Sequence, residues 1–172
     1  MRSLSWFFTL SFAAISAAAD FSAGLAAYNK GDYPAAVKEW RPLADEGVAA
    51  AQFNLGLMYL DGHGVPQDPV EAAKWFKRSA EQDYTEAQHN LGAMYGAGQG
   101  VKRDYIQAYK WLNICAAKGN AGCESQRDLI AKKLKASQLT TAQRLSTEFA
   151  PKKESDAATP PGSPERPTAP PR

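Results

Sequence analysis

Cysteine and histidine are scarce: the 172 residues hold two of each. Two cysteines cannot make a disulfide-dense small domain or a four-thiolate zinc site, and two histidines leave little for a histidine-rich metal centre. No charge sign dominates. Lys+Arg number 20 against 18 Asp+Glu, a net charge of +2, so there is no basic footprint for nucleic acid and no polybasic membrane signal. No serine is followed by lysine three residues on, which removes the serine nucleophile motif of penicillin-handling enzymes. His63 and His89 lack zinc spacing, and Gly62-x-Gly64 and Gly98-x-Gly100 lack the third glycine of a dinucleotide site. The expectation is a chain with no catalytic residues, no metal ligands and no cofactor. What is present, 44% hydrophobic and 22% charged residues, suffices for one domain with a core.

The two ends differ from the middle. Arg2 precedes a short apolar stretch to Ile15, and Ser16-Ala17-Ala18-Ala19 supplies small residues at a cleavage site. This is the layout of a secretory signal peptide over 1–19, cut before Asp20. No cysteine near the cut could carry a lipid anchor, and no later apolar run has spanning length. The mature protein is therefore expected to be periplasmic or secreted, without membrane insertion. At the other end, 151–172 holds seven of the eleven prolines and no aromatic or branched aliphatic residue. Such a segment cannot bury enough apolar area to offset its ordering entropy, so a disordered tail is expected.

Between them the chain repeats. Ala51-Gln52-Phe53-Asn54-Leu55-Gly56-Leu57-Met58-Tyr59 matches Ala87-Gln88-His89-Asn90-Leu91-Gly92-Ala93-Met94-Tyr95, a shift of 36. Gly62, Gly64, Val65, Asp68, Ala72, Trp75 and Ala80 recur in the same register at Gly98, Gly100, Val101, Asp104, Ala108, Trp111 and Ala116. Each unit reads as two helices. Ala51, Leu55, Met58 and Tyr59 form one helical face, and Ala72, Phe76 and Ala80 a stripe on the next. Asp68 is an N-cap with proline after it and Glu71 placed for a capping box. Gly56 and Gly92 cost their helices about 1 kcal/mol each against alanine, which implies a neighbour that must come close. Helices are expected near 21–30, 34–46, 49–61, 69–82, 85–97, 105–118 and 121–135. An eighth is expected over 141–149, capped by Thr140 with Gln143 at N3. One hairpin cannot hide its apolar face, but stacked hairpins can.

The pattern A-x3-L-G-x-M-Y-x2-G-x-G-V-x2-D-x3-A resembles the Sel-one-like repeat, a branch of the tetratricopeptide superfamily. The resemblance covers residues 21 to about 149. It implies an all-α, right-handed α-solenoid of helix-turn-helix repeats, filling a domain over 20–150. Its parts would be a partial repeat at about 21–48, full repeats at about 49–84 and 85–120, and degenerate capping helices over 121–149. It also implies an adaptor or scaffold that binds a protein or peptide partner. In such solenoids the first helix of each repeat lines the concave face. Carried over, the groove positions are Phe53, Asn54 and Leu57, then His89, Asn90 and Ala93. An asparagine amide there could both donate to and accept from a peptide backbone; hydrogen bonding to a neighbouring helix is the other reading. Trp40, Trp75 and Trp111 read as packing between helices.

Cys115 and Cys123 flank an inter-helix turn, and their spacing resembles the pairs of a cysteine-rich exported branch of the family. A structural disulfide is expected; a redox or metal-binding pair is the other reading. The alternative to a peptide-binding scaffold is a protein that binds or hydrolyses cell-envelope glycan. A glycosidase would want two carboxylates in its cleft, and the groove positions carry none. One outcome is measurable directly: the intact mass of exported protein should correspond to a chain starting at Asp20, and a full-length mass would refute the signal segment.

Overall fold

The computed structural model describes residues 10–154, with side chains from Asp20 onward. The first nine residues of the expected signal segment, and the expected tail beyond Glu154, lie outside the described residues. The described chain forms eight helices and no strand: α1 (Leu10–Asn29), α2 (Tyr33–Asp45), α3 (Ala49–Asp61), α4 (Pro69–Glu81), α5 (Thr85–Ala97), α6 (Tyr105–Ala116), α7 (Ala121–Ala131) and α8 (Ala136–Thr147). Helices pair as α1–α2, α3–α4 and α5–α6, and each pair stacks on the next through α2–α3, α4–α5 and α6–α7. This is an α-solenoid of helical repeats.

Repeated residues do repeated work. Asp68 Oδ1 accepts from the Val70 and Glu71 N–H groups at 2.9 and 3.0 Å, and Asp104 does the same for Ile106 and Gln107 at 2.9 and 3.1 Å. The expected capping box at Glu71 does not close. The Asp68 N–H that it would engage donates instead to the Tyr59 carbonyl at 2.8 Å, tying α4 to the preceding helix, and Glu71 pairs with Lys74. Asp104 N–H donates likewise to Tyr95 O at 3.0 Å.

The two helix glycines mark close approaches. A Cβ on Gly56 would stand 2.7 Å from the Phe76 ring, and one on Gly92 would stand 2.7 Å from Leu112 Cγ. Phe76 and Leu112 occupy the same place one repeat apart, and both are fully buried. The loop glycines join one repeat to the one before. Gly64 lies against the Tyr33–Pro34 backbone and Gly100 against Pro69 O, each with positive φ (72° and 66°). A side chain there would meet both backbone strain and a backbone obstacle. Trp40, Trp75 and Trp111 are all buried, as packing requires.

The C-terminal end departs from the repeat. Cys115 and Cys123 form a disulfide with Cα atoms 5.9 Å apart. It pins the start of α7, whose one buried residue is Cys123. The last helix spans 136–147 rather than 141–149. Lys135 N–H donates to Gln138 Oε1 at 2.9 Å, so Gln138 caps the helix that Gln143 was expected to cap, and Thr140 sits inside it with its hydroxyl on Ala136 O. Ala142 is fully buried and is the one buried residue of this helix. α8 packs on α6 rather than closing a fourth hairpin with α7. Phe149 then meets Trp111 edge-on, with ring centroids 5.4 Å apart.

Two other boundaries differ. α1 runs through Asp20, so the expected cleavage point before that residue falls inside it; among the described side chains of this helix, Phe21 and Tyr28 are buried and lie beyond that point. Pro151–Glu154, expected to open the disordered tail, lie instead against the solenoid: Lys152 N–H donates to Glu81 O at 2.7 Å, and Glu154 pairs with Arg78 at 2.7 Å. Charge and backbone hydrogen bonds hold this stretch, which composition rules based on apolar burial do not register.

Two outcomes follow from this packing. Gly56→Ala should lower the thermal midpoint: overpacking costs about 1–3 kcal/mol, more than the roughly 1 kcal/mol gained in helix propensity. A rise would mean that α3 and α4 can move apart without loss. Thiol labelling of folded, oxidised protein should leave Cys115 and Cys123 unmodified until reductant is added.

Candidate functional site

The structure separates the six groove positions. Phe53 is buried against Phe76 and Tyr84, with ring centroids at 5.8 and 5.2 Å, and Asn54 and Leu57 are buried beside it. His89 and Asn90 are half-buried, and Ala93 is exposed. On this face the second repeat exposes side-chain surface, while the first presents little. Phe53 faces the core because Phe76 and Tyr84 complete an aromatic cluster with it, and the second repeat has His89 in its place. Asn54 is 2% exposed, and its Nδ2 makes no hydrogen bond within the protein. Left unmatched, such an amide N–H costs roughly 1–3 kcal/mol.

Sequence reasoning passed over Gln52 and Gln88, although both sat in the matched windows. Each is fully buried, and each makes the same contacts one repeat apart. Gln52 Nε2 donates to Ala44 O at 3.1 Å and Gln88 Nε2 to Ala80 O at 3.3 Å. Gln52 Oε1 accepts from Gln82 at 2.8 Å, and Gln88 Oε1 from Lys118 at 3.1 Å. A polar residue repeating at a position that the helical period assigns to the core was the available signal.

The open recess is elsewhere. A cleft of about 970 Å³ lies among α4, the α5–α6 loop, α6 and the α7–α8 link. Five cations line it, Lys77, Lys102, Arg103, Lys110 and Lys133, against two acids, Glu81 and Asp104. Aromatic rings sit under two of the cations: Lys110 Nζ is 4.4 Å from the Trp111 ring centroid and Lys133 Nζ 5.7 Å from that of Tyr105. Burial pushes the Lys110 ammonium below its ordinary range, with Lys77 and Lys152 adding to the effect and Glu81 opposing it. Burial also raises the Tyr95 hydroxyl, helped by Asp104 and Glu81, so Tyr95 meets a ligand as a neutral donor. An excess of cations over aromatic walls suits an acidic, partly apolar surface. Among the described residues no group of three or more His, Cys, Asp or Glu could hold a metal ion. No helix among them is long and apolar enough to cross a membrane.

The Sel1 repeat family model matches residues 49–84 and 85–120, two consecutive units in the register read from the sequence. No curated protein matches the chain. Among solved structures, a protective antigen of uropathogenic Escherichia coli with an SLR fold is 37% identical, with a TM-score of 0.74 over 77% of this chain and 29% of that one. A Sel1 repeat protein from Oxalobacter formigenes is 32% identical, with a TM-score of 0.62 over 66% of this chain and 48% of that one. The chain thus spans less than half the length of either. Sel1 repeat proteins are generally non-catalytic scaffolds for protein interaction. Matched repeats, helical stack and structural neighbours agree: the chain carries two Sel1 repeats, and its structural neighbours are Sel1 repeat proteins.

Proposed function

We propose that this protein is an exported Sel1 repeat scaffold that binds a protein or peptide partner of acidic character. The observation that carries the reading is the cleft beside α6, a space of peptide size lined by five cations, with the buried Trp111 ring beneath Lys110 and the Tyr105 ring beneath Lys133. The half-buried pair His89 and Asn90, with exposed Ala93, offers a second contact strip on α5. The disulfide supports export, because an oxidising compartment is where such bonds persist. The repeat domain over 20–150 is the binding unit in this reading, and its cleft acts by charge and shape without a chemical step.

The test pairs two assays on the full chain. Captured on a resin, it should retain a protein from envelope extract, and Lys110→Glu with Lys133→Glu should reduce that capture at least tenfold while the thermal midpoint stays within a few degrees. Capture should also weaken as salt rises, since opposite charges at a partly exposed cleft are screened. Co-sedimentation with purified peptidoglycan and no captured protein would overturn the proposal in favour of a glycan binder.

A further inference from the structure

The two buried glutamines each hold a carboxylate, but from different sources. In the second repeat the carboxylate is local: Asp83 Oδ1 accepts from Gln88 Nε2 at 2.9 Å and pairs with Lys118 Nζ at 2.6 Å. Asp83 keeps a positive φ of 71° to do so, a conformation uncommon outside glycine. One repeat earlier the same place is Gly47, also at positive φ (94°) and without a side chain. The vacant place is filled from the far end of the chain. Glu154 Oε2 accepts from Gln52 Nε2 at 2.9 Å and from Arg78 at 2.7 Å. Arg78 is set for this task, with its guanidinium 4.9 Å above the Trp75 ring.

The backbone of the visiting segment is also read. Alternate N–H groups, those of Lys152 and Glu154, donate to Glu81 O at 2.7 Å and to Gln82 Oε1 at 3.3 Å. Gly47 is what admits the segment, for a Cβ there would stand 2.7 Å from Glu154 Cβ. A fully buried amide, a stacked guanidinium, one backbone and one side-chain acceptor for the segment's N–H groups, and a missing side chain together make a receptor for one glutamate in an irregular, extended stretch.

We propose that Gly47, Gln52, Arg78 and Gln82 form a carboxylate-recognition subsite for a glutamate-bearing extended segment of a partner protein, and that Pro151–Glu154 occupies it in cis until such a segment displaces it. This rests on the scaffold reading above and names the chemistry that its partner presents. The occupant is a peptide rather than a free anion because two of the contacts are to backbone N–H groups two residues apart. The tether makes the cis segment a strong competitor, since a short linker holds it at an effective concentration in about the millimolar range.

The experiment uses the full chain carrying Glu154→Gln and a fluorescent peptide Ala-Pro-Lys-Lys-Glu-Ser-Asp, titrated by anisotropy. The variant should bind it at least tenfold more tightly than the unsubstituted chain does, and at least tenfold more tightly than it binds the peptide with Gln for Glu. Adding Arg78→Ala to the variant should abolish binding with the helical signal retained. Gly47→Asp, which supplies the carboxylate as the second repeat does, should also block the peptide. Equal binding of the Glu and Gln peptides, or none to the Glu154→Gln chain, would overturn the subsite. So would a dimer of the unsubstituted chain that dissociates on Glu154→Gln, because the occupant would then be the tail of a second copy. The titration needs no envelope extract, so its failure is distinct from a failure to capture a partner.

Discussion

The buried amide of Gln52, and of Gln88 one repeat later, is the contact on which the stacking register depends. A glutamine side chain removed from water must satisfy both its N–H bonds and its carbonyl inside the protein. Here one N–H closes the end of the preceding helix at Ala44 or Ala80, the other reaches a carboxylate, and the carbonyl accepts from the turn beyond the following helix. Three successive elements are thereby fixed about one group. A hairpin that slipped along its neighbour would strand that amide, so apolar packing supplies the attraction and the glutamine supplies the position.

Close approach completes the arrangement. Gly56 and Gly92 let Phe76 and Leu112 sit directly on helix backbone, while Gly64 and Gly100 let each loop rest on the start of an earlier helix. These glycines weaken the isolated helices and strengthen the stack. The last helices follow other rules, and among the described residues no further repeat covers them. A disulfide replaces apolar area at α7, where Cys123 alone is buried, and α8 turns back onto α6 to cover Trp111. The chain then continues toward the N-terminal repeats, and this return path carries Glu154 to Gly47. The binding surfaces are consequences of the same geometry. The basic cleft opens where α7 and α8 part instead of pairing, and the carboxylate slot exists because one repeat has glycine where the next has aspartate.

Much of this was legible in the residues themselves. The 36-residue register, the N-caps at Asp68 and Asp104, the helices over 49–61 and 85–97, and the helix expected over 69–82 that ends one residue earlier, follow from local chemistry and from self-similarity. The glycines announced close packing because nothing else justifies them inside a helix. The groove was less legible. A helical period says which residues share a face, but not whether that face meets solvent, and Phe53, Asn54 and Leu57 are covered where Ala93 is open.

Sequence by itself determined the class of fold and the register of the two full repeats, because each depends on neighbours within one or two helical turns or on self-similarity. Tertiary structure alone decided where α8 docks, which cations converge on one cleft, and that Glu154 answers Arg78 and Gln52 from the far end of the chain. The physical reason is range. Caps, periods and turns are short-range preferences written in adjacent letters, whereas a carboxylate finds its amide across about a hundred residues only once the stack has placed both, and electrostatic complementarity at that separation leaves no periodic mark in the sequence.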